Sequence, residues 1–175
     1  APYSSSFNSW ANLDVQWFGT LDDWTASSTA ALVGRTDPGQ RQFMLAQASD
    51  GGISAHFYDA ADANSQVTSP APSFADGAYG GIRMTYTAAG QEVRFYTSDD
   101  DGATWDALGS VLALTAITVN KNSTSALTVG AGGDGTSFIL EGVTHRVVVN
   151  NGFGGSPVLL ASPNFTTSEN TKRTD

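Results

Sequence analysis

The chain has 175 residues and carries 17 acidic against 8 basic side chains, a formal net charge of −9, which repels phosphate backbones and excludes nucleic acid as an expected partner. Cysteine is absent, so disulfides and thiolate metal sites are ruled out. No apolar run approaches the roughly 20 residues of a membrane span, and membrane insertion is not expected.

The first residues, APYSSSFNSW, have neither the basic start nor the apolar stretch of a signal peptide. A start at Ala1 rather than Met marks a processed product or a piece of something longer. Residues 1–9 are polar and predict an extended arm. From there, period-2 alternation bounded by Gly, Asp, Asn or Pro predicts strands over Leu13–Phe18, Ala30–Arg35, Gln42–Ala48, Ile53–Tyr58, Gly81–Thr87, Glu92–Ser98, Ala126–Ala131, Phe138–Leu140 and Val143–Asn150. Turn chemistry separates them at Asp37-Pro38-Gly39, Asp50-Gly51-Gly52, Ala88-Ala89-Gly90, Gly132-Gly133-Asp134-Gly135 and Asn150-Asn151-Gly152. The stretch from Ala60 to Ala78, broken by Pro70 and Pro72, predicts a surface loop placed to border a binding site. Residues 164–175 form a second polar arm, leaving a body over 10–163. Closely spaced hairpins without intervening helices predict an all-β fold, a two-sheet antiparallel β-sandwich of jelly-roll type.

The sharpest local signal is RFYTSDDDGATW, in which Ser98, Asp100, Gly102, Thr104 and Trp105 fit S-x-D-x-G-x-T-W. A carboxylate can accept backbone N–H bonds, Gly102 can take positive φ, and Trp105 can fold back over the hairpin. The motif predicts a structural clasp rather than a catalytic element.

Catalytic and metal signatures are missing. The three glutamates, Glu92, Glu141 and Glu169, are far apart, whereas a sandwich glycosidase needs an acid and a nucleophile flanking one bond at roughly 5 Å. Gly130, Gly132 and Gly135 match G-x-G-x-x-G, but the following residues continue as a strand where a dinucleotide site requires a helix N-terminus. His56 and His145 stand alone without zinc spacing, and no G-x-S-x-G elbow exists. Asp99-Asp100-Asp101 lacks the EF-hand pattern, because Thr97 and Leu108 occupy positions that would need Asp and Glu. No cofactor is predicted, and calcium on other loop carboxylates is left open.

Binding residues are sought instead on the polar sides of strands. His56, Tyr58, Arg83, Arg94 and Tyr96 all project opposite the apolar faces of central-looking strands. If those strands are neighbours, the five line one groove in which aromatic faces and short polar groups meet a glycan. Trp17 shares its face with Leu13 and Val15 and is expected in the core.

Taken in order from about Leu13 to Phe165, the segments LDVQW…LDDWT, LVGRTD…RQFMLA, FADGAYGGIRMTY, VRFYTSDDDGATWDALGS, LTVGAGG and HRVVVNNGFGGSPVLLASPNF resemble the laminin-G-like, concanavalin A-like domains of tail and other virion proteins from phages infecting actinobacteria. The Ser98–Trp105 run also looks like the Asp box of sialidase propellers, although a single box without repeats does not suggest a propeller. The resemblance implies a jelly roll without enzyme activity on the tail or capsid exterior. There it would adhere to host cell-surface glycans or decorate the particle, with other virion proteins or further copies of itself as partners. A carbohydrate-binding accessory module of a secreted bacterial glycoside hydrolase is the alternative, with an extracellular location.

Overall fold

A computed structural model describes residues 8, 11–115, 117–119 and 123–153, together with the backbone of 157–161. Twelve strands and no helix occur among them. The first sheet contains β1 (Asn12–Leu21), β6 (Tyr79–Thr87), β7 (Glu92–Ser98), β8 (Asp106–Ala107), β9 (Leu112–Ala113), β11 (Gly142–Asn151) and β12 (Pro157–Ala161). Its order is β12-β11-β1-β6-β7-β8, with β9 also on β7. The second sheet runs β10-β2-β3-β4-β5, from β2 (Ala30–Arg35), β3 (Phe43–Gln47), β4 (Ile53–Tyr58), β5 (Asn64–Thr68) and β10 (Thr128–Val129). All pairings are antiparallel, and the fold is a two-sheet β-sandwich.

The pleat sends alternate residues to the interior. The first sheet contributes Val15, Trp17, Ile82, Met84, Val93, Phe95 and Val147, and the second contributes Val33, Phe43, Leu45, Ile53, Ala55 and Phe57, to one continuous buried cluster. Phe57 and Tyr86 meet across the sandwich with ring centroids 4.4 Å apart. Trp17, fully buried as its face predicts, donates from Nε1 to Thr144 Oγ1 at 2.9 Å, so its one polar atom is satisfied inside the core.

A bulge between Ala31 and Val33 reverses the alternation of β2. Beyond it Arg35 sits opposite Phe43 on the interior side, fully buried. Its Nε and NH2 donate to the carbonyls of Ser125 and Ser123, each at 2.9 Å, and NH1 donates to Gln42 Oε1 at 2.9 Å and Asn8 Oδ1 at 3.1 Å. One guanidinium therefore ties the 123–125 segment to the C-terminal end of β2.

Three sequence expectations are corrected. The predicted loop from Ala60 to Ala78 contains β5, an edge strand whose alternation is muted because its inward residues are only Ser65 and Val67. The strand expected over Ala126–Ala131 shrinks to β10. Phe138–Leu140 forms no strand. Phe138 takes a left-handed φ of 52°, its carbonyl accepts from Ala31 N, and Leu140 N returns to Gly130 O, so the segment makes isolated bridges rather than a ladder. The expected arms, Asn8 apart, and Trp10 lie outside the described residues.

Candidate functional site

The outer face of the second sheet is partly apolar and buried. Ala31, Met44 and Ala46 make a separate apolar cluster there, each no more than 2% exposed. Cross-strand register sets His56 between Met44 and Gln66, and Tyr58 directly opposite Asn64. At this end of the face lies a cleft of about 260 Å³ whose lining includes Met44, Tyr58, Asn64, Arg41, Asp62 and Phe138.

Two turns and one loop form its walls. The turn after β2 reverses at Gly39, with φ 75° and a Gln40 N to Asp37 O bond of 2.9 Å. The turn after β4 is organised by Asp59, whose Oδ1 accepts from Ala61 N and Ala63 N at 2.8 and 2.9 Å. This places Asp62 in a left-handed conformation, φ 63°, from which its carboxylate accepts Gly39 N at 2.7 Å and approaches Arg41 NH1 at 3.7 Å. The guanidinium of Arg41 lies 5.6 Å from the centroid of the Tyr58 ring. Burial is the main cause raising the Tyr58 pKa, with Arg41 opposing and Asp62 assisting, so the hydroxyl stays protonated at neutral pH.

The third wall is the 132–138 loop. Asp134 Oδ1 accepts from Thr136 N and Ser137 N at 2.8 Å each, and Oδ2 accepts from Ser137 Oγ at 2.6 Å. The Ser137 hydroxyl, then the two amides, hold this carboxyl well below the usual carboxylate range. Gly133 donates to Thr36 Oγ1 at 2.7 Å. A Cβ there would stand 2.4 Å from Asp37 Oδ1 and 2.5 Å from Asp37 N, so only glycine lets the loop close this tightly. Phe138 is 46% exposed and lines the cleft.

Behind Asn64 runs a hydrogen-bond relay. Burial lowers the His56 pKa from 6.5 to about 4, so the imidazole is neutral at pH 7 and has one donor and one acceptor nitrogen. Asn64 Nδ2 donates to Nδ1 (3.4 Å), Nε2 then donates to Ser54 Oγ (3.1 Å), and that hydroxyl donates to Ala46 O (3.4 Å). Asn64 Nδ2 also reaches Gln66 Oε1 at 3.3 Å. With its amide nitrogen engaged twice, the group that Asn64, a cleft-lining residue, has left for a ligand is the acceptor Oδ1.

The five binding candidates from the sequence do not share one groove. His56 and Tyr58 belong to this second-sheet face, whereas Arg83, Arg94 and Tyr96 lie on the outer face of the first sheet, because β4 pairs with β3 and β5 and not with β6 or β7. Arg83 and Tyr96 are cross-strand neighbours, but the Arg83 guanidinium is engaged by Asp14, with Nε and NH2 donating at 3.0 and 2.8 Å. It also lies 5.5 and 5.8 Å from the Tyr96 and Trp105 rings. Arg94 is exposed and 3.7 Å from Glu92.

The Ser98–Trp105 hairpin is a clasp on that first sheet. Ser98 Oγ accepts Gly102 N at 2.9 Å and donates to Asp100 Oδ1 at 2.7 Å, while Asp100 accepts Thr104 N at 2.9 Å and Thr104 Oγ1 at 2.7 Å. The Thr104 amide and hydroxyl, followed by Ser98, hold the Asp100 pKa down at about 2. Gly102 takes φ 85°, and Trp105 packs against Phe18 with centroids 5.6 Å apart.

Sequence reasoning missed Arg41, Met44, Asp62, Asn64, Asp134 and Phe138. Asn64 and Asp62 fall in the stretch expected to border a site, but nothing local distinguishes them from solvated turn residues. Among the described residues no group of three His, Cys, Asp or Glu side chains converges as a metal site.

No protein-family model and no curated protein matches the sequence. Among solved structures the chain is similar to the CBM40 of the Ruminococcus gnavus IT-sialidase bound to α2,3-sialyllactose, at 11% identity, over 85% of this chain and 80% of that one, with a TM-score of 0.62. It is also similar to tailspike protein 2 of the Escherichia coli O157:H7 bacteriophage CAB120, at 10% identity over 85% of this chain and 21% of that one, TM-score 0.56. A SAP-like pentraxin of Limulus polyphemus matches at 15% identity over 80% and 64%, TM-score 0.51. These likenesses establish a concanavalin A-like jelly-roll sandwich.

Proposed function

We propose that this chain is a carbohydrate-binding module without catalytic activity, displayed on the exterior of a phage tail or capsid, where it attaches the particle to glycans of the host envelope. The observation that carries this reading is the cleft on the second sheet. An apolar floor at Met44 and the rings of Tyr58 and Phe138 stand beside polar groups of Asn64, Arg41 and Asp62. That combination suits a pyranose, which has a C–H face for aromatic contact and a hydroxyl rim for hydrogen bonds. The sequence resemblance to virion domains and the fold shared with a phage tailspike favour display on a particle. Neighbouring virion proteins or further copies of the chain would then hold it in place.

A second reading, an accessory module of a secreted glycoside hydrolase, is favoured by the likeness to a sialidase CBM40, which extends over 80% of that module. Detection of the chain in purified particles separates the two. Glycan-array binding by the full chain, compared with Tyr58→Ala, tests the shared premise. Wild type should bind a defined glycan set and the variant should lose about tenfold, a difference of about 1.4 kcal/mol. Background signal for wild type on every glycan would end both readings.

A further inference from the structure

The proposed sugar cleft carries more information in the chemistry of its rim. Arg41, Asp62 and Asp134 are its charged lining residues, one guanidinium against two carboxylates. Arg41 is already offset by Asp62 at 3.7 Å, which leaves Asp134 as the lining charge without an ion-pair partner among the described residues. The rim is also rich in acceptors. The relay through His56 leaves Asn64 presenting Oδ1, and both aspartates can only accept at neutral pH. Sugar hydroxyls donate to such groups, whereas a ligand carboxylate offers acceptors alone and meets a like charge. The whole chain, at −9, adds to that repulsion.

Resting on the glycan-binding reading, we infer that this cleft takes an uncharged pyranose end-group and rejects glycans capped with an anionic sugar, the opposite preference to the sialyllactose-bound module that shares its fold. Selection works by exclusion as much as by attraction: an anion finds no unengaged cation among the described lining residues and buries its acceptors against acceptors. A neutral hexose places its C–H face on Tyr58 and Phe138 and donates hydroxyls to Asn64 and the aspartates.

The test compares matched pairs on one array and by calorimetry with the full chain: neutral-terminated oligosaccharides, and the same oligosaccharides capped with α2,3- or α2,6-linked sialic acid. Wild type should prefer the neutral member by about tenfold or more, because the anionic cap meets a like charge on the rim. Asp134→Asn removes the charge and keeps one oxygen to accept from Thr136 N and Ser137 N, its NH2 taking the place of the oxygen that meets Ser137 Oγ, and it should narrow the preference by about threefold without abolishing neutral-sugar binding. Equal or tighter binding of the sialylated members by wild type overturns the inference while leaving the glycan-binding reading intact. Absence of binding to every member overturns both.

Discussion

Replacing Arg35 with Met would remove a fully buried guanidinium while keeping most of its volume. In the native fold that group donates to the Ser123 and Ser125 carbonyls and to Gln42 Oε1, three buried acceptors at 2.9 Å each. Hydrogen bonds to a charged donor are worth about 1.5–3 kcal/mol each, and stranded buried acceptors cost about 1–3 kcal/mol apiece. Relief from holding a charge in the interior returns part of that loss. The net expectation is a destabilisation of about 3–5 kcal/mol, a drop in Tm of about 10 °C for a domain of this size. Urea unfolding followed by fluorescence of buried Trp17 and Trp24 measures it, with a midpoint shift of about 2 M expected. Arg35→Lys keeps the charge but cannot reach three acceptors from one nitrogen, so it should fall between Met and wild type. A loss below about 1 kcal/mol for the Met variant would refute the assignment of Arg35 as the tie between the 123–125 segment and the sheet.

Other expectations follow from the site and the clasp. Because the folded chain keeps His56 neutral down to about pH 4, the unfolded chain takes up a proton first as pH falls through 6.5. That part of the stability is full above 6.5 and declines by up to about 3 kcal/mol towards pH 4. His56→Gln should flatten the slope in urea midpoints measured across this window, and an unchanged slope would remove His56 as its source. Asp100 adds a second decline below its ordinary value of 3.8, towards about 2, as protonation weakens its hold on Thr104 and Ser98. Ser98→Ala removes the acceptor for Gly102 N and should cost about 1–2 kcal/mol in the same assay, with no change in glycan affinity. Gly133→Ala forces a Cβ against Asp37 and should cost about 1–3 kcal/mol and weaken binding, because the loop carrying Asp134 and Phe138 must move. Arg94→Ala and Tyr96→Ala, on the opposite sheet, should leave affinity within about twofold. A larger loss would move the sugar site to that face.

Sequence reasoning reached the fold through local regularities. Alternation placed β1, β2, β3, β4, β6, β7 and β11 with small errors at their ends, since a half-buried strand writes its two faces into every second residue. It failed where that contrast is weak. The polar edge strand β5 has too few apolar residues to declare itself, and the apolar run Phe138–Leu140 is drawn into a bridge over β2 rather than into a ladder.

The candidate site was much less legible. His56 and Tyr58 stand out in the sequence because they oppose an apolar face, and the same logic selects Arg83, Arg94 and Tyr96 equally well. Alternation says that a residue points away from its own core but not which sheet the strand joins. The hairpin clasp from Ser98 to Trp105 was local, and its hydrogen bonds span at most four residues, so its chemistry was determined by the sequence alone. The cleft was not, because its walls come from the turns near Arg41 and Asp62 and from a loop some seventy residues further on at Asp134. Their meeting depends on β2, β3 and β4 sharing a sheet and on Gly133 allowing a close approach. The interior placement of Arg35 likewise turns on one bulge, an insertion in strand register that reverses every face beyond it. Composition and short-range pattern thus determined the all-β sandwich and its clasp, whereas long-range pairing, settled only by joint burial of both sheets, decided which outward residues became a site.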